Sequence, residues 1–456
     1  MTLNRILKLA LNLKGVIVEN ANFSKNQHGE LELTIHTRLS KKSRNRCPFC
    51  GRKCNIHDYI SKETFWRSMD FGPTAVRLAA KVPRICCPDH GVHTAAVPWA
   101  RHGSGFAIDF AYSVAWLVRA GVSRTHVAER FRIDWKTVGR LVSQVWHELE
   151  ADPSKRLEGL EYIGIDETSY TKGHNYITVV VNHATNTVVW VAKGHGKEVL
   201  DQFFQILTKE QREAIKAVSG DGAKWISTSV NEYCPNAIRC LDPFHVVEWA
   251  NAALDSMRVD AWRRARDELN KRIAEAKRKK YERESPEIKE MRKHVEKIKH
   301  SKYALGKNPE NLTDKQQERL SMIASEDRQI DRAHKLKETL RKVFKLNDPE
   351  IAEEYLDKWI TRAQRCRIPA FVELQRKIRR NRTSILNTIR IGLSNARIEA
   401  TNNKIKLLIR IAYGFRNIDT LISFVMLFCS QIEIPWPRNH AQIPENKGSE
   451  NAMPLN

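Results

Sequence analysis

The run EYIGID (161–166), followed by YITVVV (176–181), TVVWVA (187–192), IKAVS (215–219) and AIRCL (237–241), decides the fold. Each piece is short and rich in Val, Ile and aromatic residues, the composition of strands. Between the third and fourth pieces, Val199, Leu200, Phe203, Phe204 and Leu207 fall on one apolar face at helical spacing, and residues 223–233 offer a second helix before the last strand. The order β-β-β-α-β-α-β predicts a mixed α/β domain beginning near residue 153 and reaching about 254.

Acidic residues punctuate these strands. Asp166 is expected at the end of the first, in GIDET, and Asp221 just after the fourth, in SGDGA. Glu399 stands in SNARIEATNNKIK, in the first turn of a helix for which Ser394 or Asn395 is the expected cap, where the positive end of the helix dipole favours an ionised carboxylate. The strand order is that of an RNase H-like sheet, although other α/β folds share it. In the RNase H-like arrangement the first and fourth strands are neighbours, so Asp166 and Asp221 converge.

Three carboxylates are hard oxygen donors that suit Mg²⁺ or Mn²⁺. Two such ions can neutralise a phosphodiester, activate a nucleophile and stabilise the leaving oxygen. Taken singly, each Asp reads equally well as a turn residue or a helix cap. Asp242 and His245, in DPFH, form an auxiliary pair that either positions the phosphate or holds the core. Glu167 is set aside because successive strand residues face opposite ways.

The rest of the chain supplies the partner. Over 456 residues, Lys and Arg number 77 against 53 Asp and Glu, a net charge of +24 that points to a polyanion, and nucleic acid above all. A membrane span needs about 18 consecutive apolar residues, and the chain has no such run. The start, MTLNRILKLALNLKG, lacks a small-residue cleavage site, so a soluble cytoplasmic protein of about three domains is expected.

Five of the nine cysteines crowd into one region, the pattern of metal binding rather than disulfides, while Cys234, Cys240, Cys366 and Cys429 read as ordinary buried thiols. Residues 15–37 alternate apolar and polar as half-buried strands do. Around them lie two knuckles, Cys47-Pro48-Phe49-Cys50-Gly51 and Cys87-Pro88-Asp89-His90-Gly91. Cys47, Cys50, Cys87 and His90 offer the four soft ligands of a structural Zn²⁺ site. Cys54, Cys86 and His93 stand close enough to replace one of the four. The rival readings are reduced cysteines that merely pack and a redox Cys-x-x-Cys, which would want a thioredoxin-like βαβ context, whereas here a second knuckle follows within about forty residues.

From 107 to 148 the period turns helical. Phe110, Val114, Leu117 and Val118 mark one helix; Val127, Ala128 and Phe131 follow the capping Ser123; Asp134 caps a third with Val138, Leu141, Val142 and Val145. The last two form a helix-turn-helix pattern, with Lys136, Thr137 and Arg140 on the exposed face of the reading helix. Any three-helix packing module would look similar; the net charge favours DNA.

Residues 255–391 hold a single glycine, Gly306, and long charged helical patterns, the mark of a helical insertion. Basic runs at Lys277–Lys280 and at Arg376, Lys377, Arg379, Arg380 and Arg382 are either solvated faces or phosphate contacts, with Arg379 and Arg380 the better candidates for the latter. The chain thus reads as a β-rich zinc module (1–100), a helix-turn-helix (101–152), the first part of the core (153–254), the insertion (255–391), the core's C-terminal helices with Glu399 (392–434) and a disordered tail (435–456).

The two knuckles, the helix-turn-helix, GIDETSYTKGHNY, SGDGA, DPFHVVEWANAALD and above all NARIEATNNKIKLLIRIAYGFRN resemble the ISL3 family of insertion-sequence transposases, from about residue 40 to 430. His90 stands where a fourth cysteine is often found. The resemblance implies that Asp166, Asp221 and Glu399 match the family's DDE triad and that the long helical segment matches its insertion. It also implies partners: the element's terminal inverted repeats and target DNA, bound by a homo-oligomer. A non-catalytic zinc and helix-turn-helix regulator would have no need of three such carboxylates. A nuclease that only hydrolyses would use them without strand transfer.

Overall fold

The computed structural model describes residues 2–26, 29–150, 152–171, 173, 175–278, 285–346, 348–393 and 396–435, the backbone alone at 396–398. The chain divides into two compact units: residues up to Asp152 together with those from Leu407 on, and Pro153–Lys406.

In the first unit, Val16–Lys25, Leu31–Leu39, Thr74–Ala80 and Thr64–Phe71 form a four-stranded sheet in that order, the central pair parallel. Ile35, Val76 and Leu78 alternate inward and fill its core with Trp66 and Trp99. Asn55–Asp58, Arg84–Cys87 and Gly91–Thr94 make a separate three-stranded antiparallel sheet that carries the second knuckle.

Three helices follow, Ile108–Arg119, Arg124–Phe131 and Trp135–Leu149. The expected caps are in place: the Ser123 hydroxyl accepts from the His126 N–H at 3.2 Å and Asp134 from the Lys136 N–H at 2.7 Å. Between the last two helices Arg132 takes a left-handed φ of 54°, which makes the tight turn. The buried Asp70 carboxylate anchors this turn to the four-stranded sheet, receiving Arg132 at 2.8 Å and Arg130 at 3.2 Å as well as Arg67.

The C-terminal helix Ile418–Cys429 packs on Trp135–Leu149, within the first unit. The cause is its composition. Leu421, Phe424, Val425, Met426 and Leu427 are all buried, and fully burying one such side chain is worth roughly 1.5–3 kcal/mol. Gly139 permits the close approach, since a Cβ there would lie 3.3 Å from Thr420 Cγ2.

The second unit is built on a five-stranded sheet. Its spatial order is Thr187–Lys193, Asn175–Asn182, Tyr162–Thr171, Ala217–Gly220, Ile238–Leu241, the first three antiparallel and the last two parallel to Tyr162–Thr171. Leu200, Phe203 and Phe204 of helix Lys197–Ile206 cover one face.

Helix Pro243–Arg278 leaves the last strand and runs on for 36 residues, so the expected boundary at 254 falls inside a continuous helix. It opens an all-helical segment centred on Leu254, Leu340, Leu356, Trp359 and Phe371. Helix Pro286–Lys299 belongs to the same segment and begins on the Ser285 cap, whose hydroxyl accepts from the Ile288 N–H at 3.3 Å. Lys279 and Lys280 of the first basic run, the caps Ser394 and Asn395, and the tail from 436 lie outside the described residues. Among the described residues no helix is long and apolar enough to cross a membrane.

Candidate active site

Strand Tyr162–Thr171 extends past Asp166, which sits inside the strand and not at its end. The strand lasts longer than its sequence pattern because it continues as one arm of a hairpin with Asn175–Asn182. Its parallel partner stops sooner: Ala217, Val218 and Ser219 pair with Tyr162, Ile163 and Gly164. Asp166 and Asp221 each follow the last of these pairs, Gly164 and Ser219, by two positions, so parallel pairing brings them to the same level.

The surroundings of Asp166 are specific. Its Oδ1 accepts from the Glu167 N–H at 2.7 Å, and its Oδ2 accepts from the side-chain amide of Asn402, whose carbonyl oxygen takes the Thr168 hydroxyl at 3.1 Å. Burial pushes the Asp166 carboxyl up, with Asp242 adding to it, against the Glu167 N–H, the His245 ring and the Asn402 amide. Glu167 points elsewhere, as expected: its Oε1 accepts from the Gly196 N–H at 3.3 Å, at the start of helix Lys197–Ile206.

Asn402 belongs to helix Ala396–Ile411. Glu399 lies three residues before it, on the same face of that helix and in its first turn, and is exposed. The oxygens of Asp166, Asp221 and Glu399 do not gather as tightly as the 4.8 Å cluster formed by the zinc-type quartet.

The charges of Asp242 and His245 both act on Asp166. Asp242 Oδ1 caps helix Pro243–Arg278 through the Phe244 N–H at 2.9 Å, and the His245 ring lies 3.7 Å from Asp242 Oδ2 and 3.3 Å from Glu248. Sequence reading missed Arg239. From the last strand its guanidinium donates to the Val218 carbonyl at 3.2 Å and to those of Cys240 and Asp221, tying down the loop that presents Asp221. Burial brings this guanidinium down to about 10, against the pull of Asp221 and Asp242. An isolated Arg in a β-rich run gives no sequence signal of that role.

In the first unit, the four knuckle residues converge. Cys47, Cys50, Cys87 and His90 place their ligand atoms within 4.8 Å of one another, with Cys87 Sγ 3.5 Å from His90 Nδ1 and 3.7 Å from Cys50 Sγ. Gly51 (φ 69°) and Gly91 (φ 76°) end the two knuckles in the left-handed region that glycine accepts. His90 pulls the Cys87 thiol down to about 6. Three thiols and an imidazole on two turns are the donor set of a closed tetrahedral zinc site. Cys54 donates instead to the Arg52 carbonyl at 3.4 Å, and Cys86 is exposed. Cys234, Cys240, Cys366 and Cys429 are buried and form no disulfide.

Lys136 and Arg140 stand exposed on helix Trp135–Leu149, with Thr137 between them half-buried. In the second unit, Arg380 is exposed and Arg379 donates to Gln364 at 2.9 Å. Arg376 pairs with Glu373, and Arg382 with Glu353 and Asp357.

Comparison with known proteins shows which family the chain resembles. A family model described as a transposase matches residues 163–425, one for the helix-turn-helix domain of transposase family ISL3 matches 95–146, and one for the zinc-finger of the IS204/IS1001/IS1096/IS1165 transposases matches 43–90. The chain is 42% identical over 438 residues to the transposase for insertion sequence element IS1557 of Mycobacterium tuberculosis, strains CDC 1551 and H37Rv, covering 95% of this chain and 97% of the relative. It is 26% identical over 381 residues to the transposase for IS1001 of Bordetella parapertussis, covering 81% of this chain and 85% of the relative. A regulator or a simple nuclease is not favoured: the chain belongs to the ISL3 family of insertion-sequence transposases, with a zinc-finger and a helix-turn-helix ahead of its transposase segment.

Proposed function

We propose that this transposase cuts DNA at the terminal inverted repeats of its own element and joins the freed 3′-OH to target DNA, on an RNase H-like core interrupted by the helical segment. Asp166, Asp221 and Glu399 are the metal-binding carboxylates. The observation that carries the reading is the level placement of Asp166 and Asp221 on parallel neighbours, with Asn402, from the helix of Glu399, bonded to Asp166. The donor set suits a hard cation: Asp166 is half-buried beside another carboxylate, Asp242, where its charge is costly without a counter-ion.

Bound Mg²⁺ or Mn²⁺ ions would supply charge neutralisation and an activated nucleophile. This chain's residues do the rest. Asn402 and the Glu167 N–H fix the Asp166 oxygens, Arg239 holds the loop of Asp221, and Asp242 with His245 flanks the site. The head grips the ends through Lys136, Thr137 and Arg140, with Arg379 and Arg380 on the backbone. One Zn²⁺ on Cys47, Cys50, Cys87 and His90 holds the first module folded. We place the protein in the bacterial cytoplasm, working as a homo-oligomer on paired ends.

Purified full-length chain, incubated with end duplexes and Mg²⁺ or Mn²⁺, is expected to nick at the repeat boundary and to transfer the 3′-OH into a target duplex. Hydrolysis with no joined product, under conditions that pair two ends, would leave a nuclease and defeat the transfer reading.

A further inference from the structure

Helix Pro369–Arg380 of the second unit carries a lysine that the assigned chemistry does not use. The Lys377 ammonium stands 3.5 Å from the centre of the Trp249 ring. Trp249, on helix Pro243–Arg278, presses the edge of its indole onto Gly222: a Cβ there would lie 2.6 Å from the ring's Cζ2. Gly222 follows Asp221 directly, so glycine, indole and ammonium form a stack that starts beside the carboxylate.

The donors of Lys377 are unspent. Of its basic neighbours, Arg376 is paired with Glu373 and Arg382 with Glu353 and Asp357. Among the described residues Lys377 makes no hydrogen bond or ion pair, although the charges of Asp221 and Glu248 act on it. Burial works against its charged form, and the indole face offsets only part of that cost. A half-buried ammonium with three free donors needs an acceptor. The acceptor that a DNA strand brings to Asp221 is a non-bridging phosphate oxygen.

We propose that Lys377, held on the Trp249 ring, donates to a non-bridging oxygen of the DNA strand next to the Asp221 carboxylate and so sets the register of the backbone for cutting. This rests on the reading of Asp221 as an active-site carboxylate.

The test uses full-length protein, Mg²⁺ and end duplexes. Lys377→Met is expected to cut about 10- to 100-fold more slowly, the effect of losing one charge-assisted hydrogen bond, while end affinity, carried by many other phosphate contacts, falls much less than the rate. Lys377→Arg restores part of the rate. Uncharged methylphosphonate linkages are then placed one at a time around the cut. At one linkage the wild-type rate should drop to that of Lys377→Met, and the variant should lose nothing more.

Wild-type cutting by Lys377→Met, or losses that multiply at every linkage, would overturn the contact. Asp221→Asn separates the two ideas. If it still cuts, the underlying reading falls; if it is inactive while Lys377→Met is normal, only the lysine contact falls.

Discussion

Asn402 joins Asp166 to Thr168: its amide donates to the Asp166 carboxylate, and its carbonyl oxygen accepts the Thr168 hydroxyl at 3.1 Å. One side chain thereby fixes the helix of Glu399 to the strand of Asp166 and favours the ionised form of that aspartate. Asn402→Ala removes a donor that holds the Asp166 carboxyl down, so the carboxyl moves further up and the acid limb of the cleavage profile shifts to higher pH. The rate should fall about tenfold or more, since hydrogen bonds to charged groups contribute roughly 1.5–3 kcal/mol. Thr168→Val loses only the other bond and should leave the pH profile in place. Single-turnover cleavage against pH at fixed Mg²⁺ checks both, and an unmoved acid limb in Asn402→Ala would remove the residue from the site.

Asp166→Asn, Asp221→Asn and Glu399→Gln should each abolish cleavage and leave end binding intact. The amide keeps the shape and removes the charge that holds the metal. Glu167→Gln is the control, because Glu167 faces the Gly196 N–H and an amide oxygen can still accept that bond. Cleavage gels beside gel-shift titrations decide the matter; wild-type cutting by Glu399→Gln would send the search for the third ligand elsewhere.

Lys136→Ala and Arg140→Ala should weaken binding to the cognate ends by about 1–3 kcal/mol each for a base contact, with little change in thermal stability. Both side chains are exposed on the third helix, whose fold is carried by Val138, Leu141, Val142 and Val145 on the opposite side. Equal end affinity in wild type and both variants, at a stated salt concentration, would rule out this helix as the reader.

Purified protein should contain one zinc per chain. Cys47→Ser with Cys50→Ser should lose it and melt the knuckle module, because a closed four-ligand site contributes its binding energy to folding. Cys54→Ser and Cys86→Ser should keep the metal, since neither thiol belongs to the quartet. Elemental analysis of the three variants settles the ligand set.

Local chemistry made much of this protein legible in its sequence. The period of the apolar residues gave the five strands of the second unit and the three helices of the head. Ser123 and Asp134 announced their caps because a short polar side chain before an apolar run satisfies free N–H groups wherever the helix later packs. The two knuckles declared their ligands for the same local reason, since Cys-Pro-x-Cys-Gly and Cys-Pro-Asp-His-Gly each close a tight turn on their own.

Tertiary structure decided what depends on residues far apart in the chain. Helix Ile418–Cys429 is apolar on several sides, and only packing could assign it to the head, where Gly139 leaves room for it. The hairpin with Asn175–Asn182 carried the strand of Asp166 past the point where its apolar pattern ends. Asn402, Arg239 and the Trp249–Lys377 stack gain meaning only from partners many residues away. Short-range periodicity and capping are written in neighbouring residues, whereas hydrogen bonds and ring contacts between distant segments exist only after the chain has folded.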